Sequence, residues 1–347
     1  MKAPLVSIIT LTYRHGDYIG QCIESVLAQT HEAWELLIMD DGSPDNTAEV
    51  VAGYKDPRIR YLPQAHLGII GMHAHSNRAL AESKGEFIAI LEGDDFWPTD
   101  KLEAALAAFD APDVTLVYGI TQFADSGGLP WERFIPAAKT LEGFPAADFN
   151  NEPIGRAARG ILLSHSLWTC SVSTVIRRSV LLEIGGFHSI HDGSLVDRPT
   201  FLTLSMAGRF RFLNRVMGYW RQYGHNSSAN IGVWKNMAEG ISIFVRDFMA
   251  RNADQLGLTV EESRLVHSYW KRNVSVSKIG HGRALLWEGD GRGARREFRE
   301  AMSRVDRPRH ALSAGIGWIA SWAHLNVEWL YYAVGKPSGI RQFRRRD

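Results

Sequence analysis

Three apolar runs in the first hundred residues constrain the fold most. Residues 6–12, 34–39 and 87–91 are rich in β-branched or large apolar side chains and have the length of strands. Segments such as 18–29 and 72–83 separate them and carry apolar residues at helical spacing. Strands that alternate with helices predict an α/β fold, with a parallel sheet covered by helices.

Each apolar run ends in polar residues, and these predict a binding site. The clusters are Thr12 and Tyr13, Asp40 and Asp41, and Glu92 with Asp94 and Asp95. Ligands of parallel sheets bind beyond the carboxyl ends of the strands, where such clusters meet. A buried strand that leads into three carboxylates either bears a large desolvation cost or holds a cation. The pattern therefore predicts a divalent cation, Mn²⁺ or Mg²⁺, that would bind a phosphate-containing ligand.

The sequence lacks the motifs that mark other classes of nucleotide-binding protein. The first strand is not followed by G-x-G-x-x-G, and G-x-x-x-x-G-K-[ST] does not occur, which argues against dinucleotide and P-loop sites. The formal net charge of +1 gives no field that would attract nucleic acid. Two cysteines, Cys22 and Cys170, are too few for a disulfide framework or a zinc site.

The motifs, taken in this order and spacing, resemble the GT-A-fold glycosyltransferases of family 2. The resemblance covers residues 4–228, and the matching segments are 6–13 (VSIITLTY), 23–30 (IESVLAQT), 35–43 (ELLIMDDGS), 77–95 (NRALAESKGEFIAILEGDD) and 175–187 (VIRRSVLLEIGGF). It implies a Rossmann-like, mostly parallel sheet with flanking helices. It also implies an inverting, metal-dependent transfer of a sugar from a nucleoside diphosphate, usually UDP, to a hydroxyl of a glycan or a lipid-linked acceptor.

The resemblance also assigns residues on the donor side. The expected donor-binding residues are Thr12, Tyr13, Asp41, Asn77, Asp94, Arg221 and His225. Tyr13 would lie against the base, Asp41 would accept a hydrogen bond from it, and Arg221 would pair with the diphosphate. Asp94 and Asp95 would serve the ribose and the cation. Glu92, which stands where the family usually has Asp, is the third candidate metal ligand. Tyr223 is an alternative to His225.

On the acceptor side, the resemblance implies that Asp197 is the catalytic base. The family usually has Glu-Asp here, and this chain has Val196 and Asp197. An inverting transfer needs one carboxylate to remove the proton of the attacking hydroxyl. Asp192 is the nearby alternative.

The sequence predicts two domains. Residues 1–230 would form the catalytic domain, with a nucleotide-sugar half (1–118) and an acceptor half (119–230), and 231–347 would be helical. Residues 282–301 have the pattern of a helical hairpin. Residues 311–334 place aromatic side chains on one helical face before a basic tail, which suggests a helix on an anionic membrane surface. Packing on the protein or in a homo-oligomer is the alternative.

The favoured function is therefore a hexosyltransferase-type glycosyltransferase with a nucleotide-sugar donor. A sugar nucleotidyltransferase and a non-catalytic nucleotide-sugar-binding protein are the alternatives, although the basic Gly-rich loop expected of the first is not visible. Residues 1–4 lead directly into a strand and do not resemble a signal peptide. A cytoplasmic location is expected, with the inner face of the cytoplasmic membrane as the place of peripheral contact.

Overall fold

The structure is a computed structural model that describes residues 3–164, 168–190, 194–223, 231–304 and 307–323, with 231–235 described as backbone only. The chain divides into two compact units. The first contains Met1–Gln222 and Ala253–Gly257, and the second contains Tyr223–Asn252 and Leu258–Asp347. The domain boundary expected at residue 230 falls in a stretch outside the described residues, so it stays a prediction.

The first unit is built on one mixed sheet. Its strands are β1 (Val6–Thr12), β2 (Trp34–Asp40), β3 (Ile59–Pro63), β4 (Phe87–Ile90), β5 (Val114–Ala124), β6 (Pro130–Ile135), β7 (Val175–Arg177) and β8 (Arg209–Arg221). They lie in the order β3-β2-β1-β4-β7-β5-β6, and β8 pairs with β5. β7 is antiparallel to β4 and β5, and β6 is antiparallel to β5, whereas the other pairs are parallel. The predicted α/β class with a mostly parallel sheet is confirmed.

The helices cover both faces of this sheet. Those of the first unit are α1 (Ile19–Leu27), α2 (Thr47–Ala52), α3 (Met72–Glu82), α4 (Lys101–Ala107), α5 (Ala138–Gly143), α6 (Ala146–Phe149), α7 (Arg156–Ser164), α8 (Arg178–Glu183), α9 (Asp197–Leu204) and, later in the chain, α11 (Ala253–Leu256). Short 3-10 turns occur at Ile69–Gly71 and Ser171–Ser173.

Side chains of the central strands alternate between two hydrophobic clusters. In β1, Ile8 packs into the cluster that contains the buried face of α1, whereas Ile9 packs into the cluster that contains Leu80 of α3. The same alternation separates Ile38 from Met39 in β2. Successive residues of a strand point to opposite faces, so strands buried on both sides read as continuous apolar runs. Burial on both faces therefore explains the continuous apolar runs at residues 6–12, 34–39 and 87–91.

The carboxyl ends of β1, β2 and β4 meet at one edge of the sheet. Thr12 is in register with Asp40, and the main-chain N–H of Asp41 donates to the Thr12 carbonyl at 2.9 Å. On the other side of β1, the N–H of Gly93 donates to the Leu11 carbonyl at 2.9 Å. The three polar clusters that the sequence singled out therefore converge on the same edge.

The described part of the second unit is helical. It contains α10 (Ile231–Arg251), α12 (Val260–Trp287), α13 (Gly291–Met302) and α14 (Pro308–Trp322). The hairpin predicted within 282–301 forms, but α12 runs without interruption through Gly282 and turns only after Trp287. Phe298 of α13 explains the glycine, because a Cβ at residue 282 would lie 3.0 Å from its ring.

The predicted membrane-surface segment is only partly covered by the structure. α14 ends at Trp322, and residues 324–347 lie outside the described residues. In the part of the chain that is described, no helix combines the length and the apolar character needed to cross a bilayer.

Candidate active site

The end of β1 carries Thr12 and Tyr13, the first two residues expected to bind the donor. The ring of Tyr13 stacks on that of His66, with centroids 4.4 Å apart and planes inclined by 21°. Thr12 is buried, and Gly93 approaches it so closely that a Cβ at residue 93 would lie 2.7 Å from its hydroxyl oxygen. Only glycine fits this contact, which draws the ends of β1 and β4 together.

Asp41 is surrounded by hydrogen-bond donors from the segment that follows β3. Its Oδ1 accepts from the N–H of Leu67 at 2.8 Å and lies 2.8 Å from His75 Nε2. Its Oδ2 accepts from the N–H of Gly68 at 2.9 Å and lies 2.9 Å from His66 Nδ1. Burial raises the pKa of Asp41, but the hydrogen bonds from Leu67, His75 and Gly68 outweigh it and the pKa is lowered. Asp41 is thus held as a carboxylate.

The acidic turn after β4 places two carboxylates side by side. The N–H of Asp95 donates to the Glu92 carbonyl at 3.0 Å, which closes the turn. Asp95 is buried and its Oδ1 accepts from the main-chain N–H of Arg221 at 2.9 Å, while Asp94 lies 3.8 Å from His15 Nε2. Burial, together with repulsion from Asp94 and Glu92, raises the pKa of Asp95 well above its usual range. A cation bound at this turn would offset the repulsion between these carboxylates.

Arg221 lies beneath the acidic turn. Its side chain is 1% exposed, and the guanidinium donates to the carbonyls of Asp94 and Ser126, both at 2.7 Å, and to Gln21 Oε1. The side chain was expected to pair with a diphosphate, but the structure directs it to protein oxygens. Its geometry suits a residue that fixes the shape of the turn, because planar guanidinium donors can hold several oxygens at once.

Asn77, also expected at the donor, instead joins α3 to the loop after α8. Its Oδ1 accepts from the N–H of Phe187, and its Nδ2 donates to the Phe187 carbonyl, both at 2.9 Å. The preceding Gly186 has φ of +88° and leaves no room for a Cβ, which would lie 2.2 Å from Asn77 Oδ1. Asn77 therefore shapes the path of the chain toward Asp197.

Glu92 and Asp197 line one cavity, together with Ser171. Burial, and then the charge of Asp197, raises the pKa of Glu92 to about 8, and its Oε2 has no hydrogen-bond partner in the described structure. Burial also raises the pKa of Asp197, although hydrogen bonds from the hydroxyl and the main chain of Ser171 oppose this. The remaining cavity walls are mostly apolar: Ile9, Leu11, Met72, Ile90, Phe187, Val196 and Phe201.

The expected metal set of Glu92, Asp94 and Asp95 stays a prediction. Within the described ranges, no three His, Cys, Asp or Glu side chains are grouped so that they could hold a metal by themselves. Glu92 shares its cavity with Asp197, whereas Asp94 and Asp95 remain adjacent at the turn. Two carboxylates suffice for a cation that is also held by substrate phosphates.

Two residues considered from the sequence, His225 and Asp192, lie outside the described residues. Ser171, which contacts Asp197, was not identified from the sequence, because 26 positions separate the two residues and no motif links them. His66 was missed for the same reason, since its partners Tyr13 and Asp41 belong to distant segments.

The sequence of this chain is similar to those of several known proteins. TuaG of Bacillus subtilis, whose name refers to teichuronic acid biosynthesis, is 35% identical over 142 residues, which cover 40% of this chain and 55% of TuaG. WfgD of Escherichia coli is named as a UDP-Glc:α-D-GlcNAc-diphosphoundecaprenol β-1,3-glucosyltransferase. It is 39% identical over 115 residues, which cover 33% of this chain and 45% of WfgD. The matched segments thus span about half of each relative.

The fold has a counterpart among solved structures. The mannosyltransferase PcManGT of Pyrobaculum calidifontis, solved with GDP-Man and Mn²⁺, matches with a TM-score of 0.54 and 15% identity, over 97% of this chain and 88% of the other. At this identity the likeness concerns the fold alone, which is the GT-A type. The sequence matches the glycosyl transferase family 2 over residues 7–185, slightly more than half of the chain. The chain belongs to glycosyl transferase family 2.

Proposed function

We propose that this protein is an inverting glycosyltransferase that uses a nucleoside diphosphate sugar and a divalent cation. The observation that carries the proposal is the convergence at one sheet edge of Asp41, the acidic turn at Asp94 and Asp95, and the cavity that holds Asp197. A donor and an acceptor could then meet beside four carboxylates, of which Asp94 and Asp95 share one task. The hexosyltransferase names of the relatives support the same reaction class.

The residues at the acidic turn fit a divalent cation. Burial and mutual repulsion raise the pKa of Asp95, and the buried Oγ1 of the adjacent Thr12 has no partner among the described residues. Oxygen ligands of this kind are those that Mn²⁺ and Mg²⁺ prefer. We infer that Asp94 and Asp95 would hold the cation, which would stabilise the negative charge on the departing diphosphate.

The remaining chemistry is assigned to protein side chains. Asp197 would accept the proton of the acceptor hydroxyl, and Ser171 would hold its carboxylate in place. Tyr13 would lie against the nucleobase, and Asp41 would accept a hydrogen bond from it. Arg221 and Asn77 would act indirectly, because both are bound to the main chain that carries the site.

The names of the relatives support a donor and an acceptor class. WfgD is named for a UDP-sugar donor and a diphosphoundecaprenol-linked acceptor, whereas PcManGT was solved with GDP-Man. We propose UDP as the nucleotide, with a glycan or a lipid-linked saccharide as the acceptor. Because the matched segments cover only part of each relative, the acceptor assignment rests on the family and not on shared acceptor residues.

A nucleotide-sugar screen tests the proposed function. UDP-glucose, UDP-N-acetylglucosamine and GDP-mannose would each be incubated with the protein and Mn²⁺, and thermal unfolding and nucleotide release would be followed. At least one sugar nucleotide should raise the melting temperature, because a ligand that binds the native state stabilises it. EDTA should abolish nucleotide release. Binding without turnover would instead identify a non-catalytic nucleotide-sugar-binding protein.

We also propose peripheral contact with an anionic membrane through the second unit. On α14, the side chains of Leu312, Ile319 and Trp322 are at least 60% exposed and lie on one helical face. On α13, Arg292, Arg296 and Arg299 are exposed at helical spacing and have no ion pair in the described structure. Arg295 stacks over Trp322 at 4.3 Å, which joins the basic and the apolar surfaces.

Replacing Arg292, Arg296 and Arg299 with glutamine should weaken binding to vesicles that contain phosphatidylglycerol. Each arginine near an anionic surface contributes about 1 kcal/mol, so the partition coefficient should fall roughly 100-fold at low salt. Sedimentation with vesicles measures it, and Arg246→Gln on α10 is the control. If all variants sedimented equally with the vesicles, this surface would not be the membrane contact. The same would follow if the wild-type protein sedimented equally with neutral and with anionic vesicles.

A further inference from the structure

Lys101 is a buried lysine that the proposed reaction does not use. It is 0% exposed, and its Nζ donates to the carbonyl of Thr174 at 3.2 Å and lies 3.5 Å from the centre of the Trp97 ring. No carboxylate is within ion-pair distance in the described structure, and burial lowers its pKa well below the usual range. Burial of such a group is costly, so its position requires an explanation.

Trp97 makes a similar contact with the main chain close to Thr174. Its Nε1–H donates to the carbonyl of Val172 at 2.7 Å, and the side chain is 4% exposed. Trp97 and Lys101 both follow closely on the acidic turn, two and six residues after Asp95. Two side chains from the donor half of the site thus hold the main chain of residues 172–174, on the acceptor side.

The stretch that they hold is the one that contacts Asp197. Ser171–Ser173 forms a 3-10 turn, and Ser171 donates both its hydroxyl and its main-chain N–H to the Asp197 carboxylate. Gly218 of β8 also packs on Val172, because a Cβ at residue 218 would lie 2.6 Å from the Val172 carbonyl oxygen. The turn is therefore contacted by β8 as well as by the pair Trp97 and Lys101.

We propose that Trp97 and Lys101 are positioning residues that set the place of Asp197 through the Ser171 turn. They link the acidic turn that would hold the donor to the carboxylate that would deprotonate the acceptor. The inference rests on the proposed function, in which Asp197 is the base. Small displacements of a catalytic group reduce the rate strongly, since about 1 Å of misplacement can cost roughly 100-fold.

The alternative is that both residues only stabilise the core, and two conservative variants separate the possibilities. Lys101→Met keeps the length of the side chain and removes its charge and donor, so the melting temperature should be unchanged or higher. Trp97→Phe keeps an aromatic ring and removes the N–H. Both should lower kcat about 10- to 100-fold and leave the KM for the nucleotide sugar unchanged. The control is Trp34→Phe, which replaces a buried tryptophan at the start of β2, the end opposite to Asp40. This variant should retain wild-type kcat.

The measurement uses whichever of UDP-glucose, UDP-N-acetylglucosamine and GDP-mannose the wild-type protein turns over fastest. Ser171→Ala should lower kcat as well, and Lys101→Met should have little further effect in that background, because residues that act through one contact are not additive. Wild-type kcat in both Lys101→Met and Trp97→Phe would overturn the proposal. So would fully multiplicative effects with Ser171→Ala.

A second readout does not depend on turnover. Amide hydrogen exchange of residues 171–174 should be faster in Lys101→Met than in the wild type, while the exchange of β1 stays the same. Unchanged exchange at the turn would overturn the positioning role even if kcat falls. If the wild type shows no transfer at all, the proposed function fails, whereas normal transfer with unaffected variants contradicts only the role of Trp97 and Lys101.

Discussion

The Asp197→Asn variant is expected to lose sugar transfer by about 10²- to 10⁴-fold in kcat, the range of a missing general base. The asparagine has the same shape and can still accept hydrogen bonds from Ser171, so the cavity should persist. What it lacks is a carboxylate that can take a proton. Burial raises the pKa of Asp197, which makes the native carboxylate a stronger base than one exposed to water.

Two measurements distinguish this loss from a folding defect. Nucleotide-sugar binding, followed by thermal shift, should be unchanged, because Asp197 is not among the residues proposed to bind the donor. Asp113→Asn, an exposed carboxylate paired with Arg209, is a matched control that should transfer normally. Full activity in Asp197→Asn would remove the assignment of the base, and Asp192 would then be the next candidate.

The Asp95→Asn variant should lose both activity and the dependence of donor binding on Mn²⁺. The new side chain can still accept the main-chain N–H of Arg221, so the turn should keep its shape. The cation, however, would lose one of its two carboxylates. A bound metal contributes several kcal/mol of charge stabilisation, which corresponds to a loss of about 10²- to 10³-fold in kcat.

Glu92→Gln provides the comparison for this prediction. Glu92 faces the cavity of Asp197, so its amide variant should retain the Mn²⁺ dependence of donor binding. Titration of Mn²⁺ in the presence of UDP measures the effect for each variant. An Asp95→Asn protein with wild-type Mn²⁺ affinity would contradict the metal assignment. Loss of Mn²⁺ binding in Glu92→Gln would instead restore Glu92 to the ligand set.

The sequence predicted what depends on local patterns. The strands were recognisable because both of their faces are buried, and the acidic turn was recognisable because carboxylates rarely follow an apolar run. The contacts that hold these pieces together could not be predicted. Arg221 meets Gln21 across 200 positions and Lys101 meets Thr174 across 73, and neither pair has a spacing or a composition that marks it.

The second unit shows the same limit in a helix. The sequence predicted a helical hairpin within residues 282–301, and glycines such as Gly280 and Gly282 are unfavourable in helix interiors. The structure continues α12 past both, since Phe298 of α13 occupies the space beside Gly282. Tertiary packing therefore determined the helix boundary, and only the facing helix could have revealed it.

The crowding of Asp41 affects how donor affinity should be understood. A carboxylate offers about four lone-pair positions, and Leu67, Gly68, His66 and His75 already lie at hydrogen-bonding distance from its two oxygens. A nucleobase that binds there cannot simply add a hydrogen bond and has to replace one of these donors. The free energy of donor binding is then a difference between two competing sets of contacts. Selectivity between bases would accordingly depend on the strength of the hydrogen bonds that Asp41 makes in the free protein as much as on those that it makes in the complex.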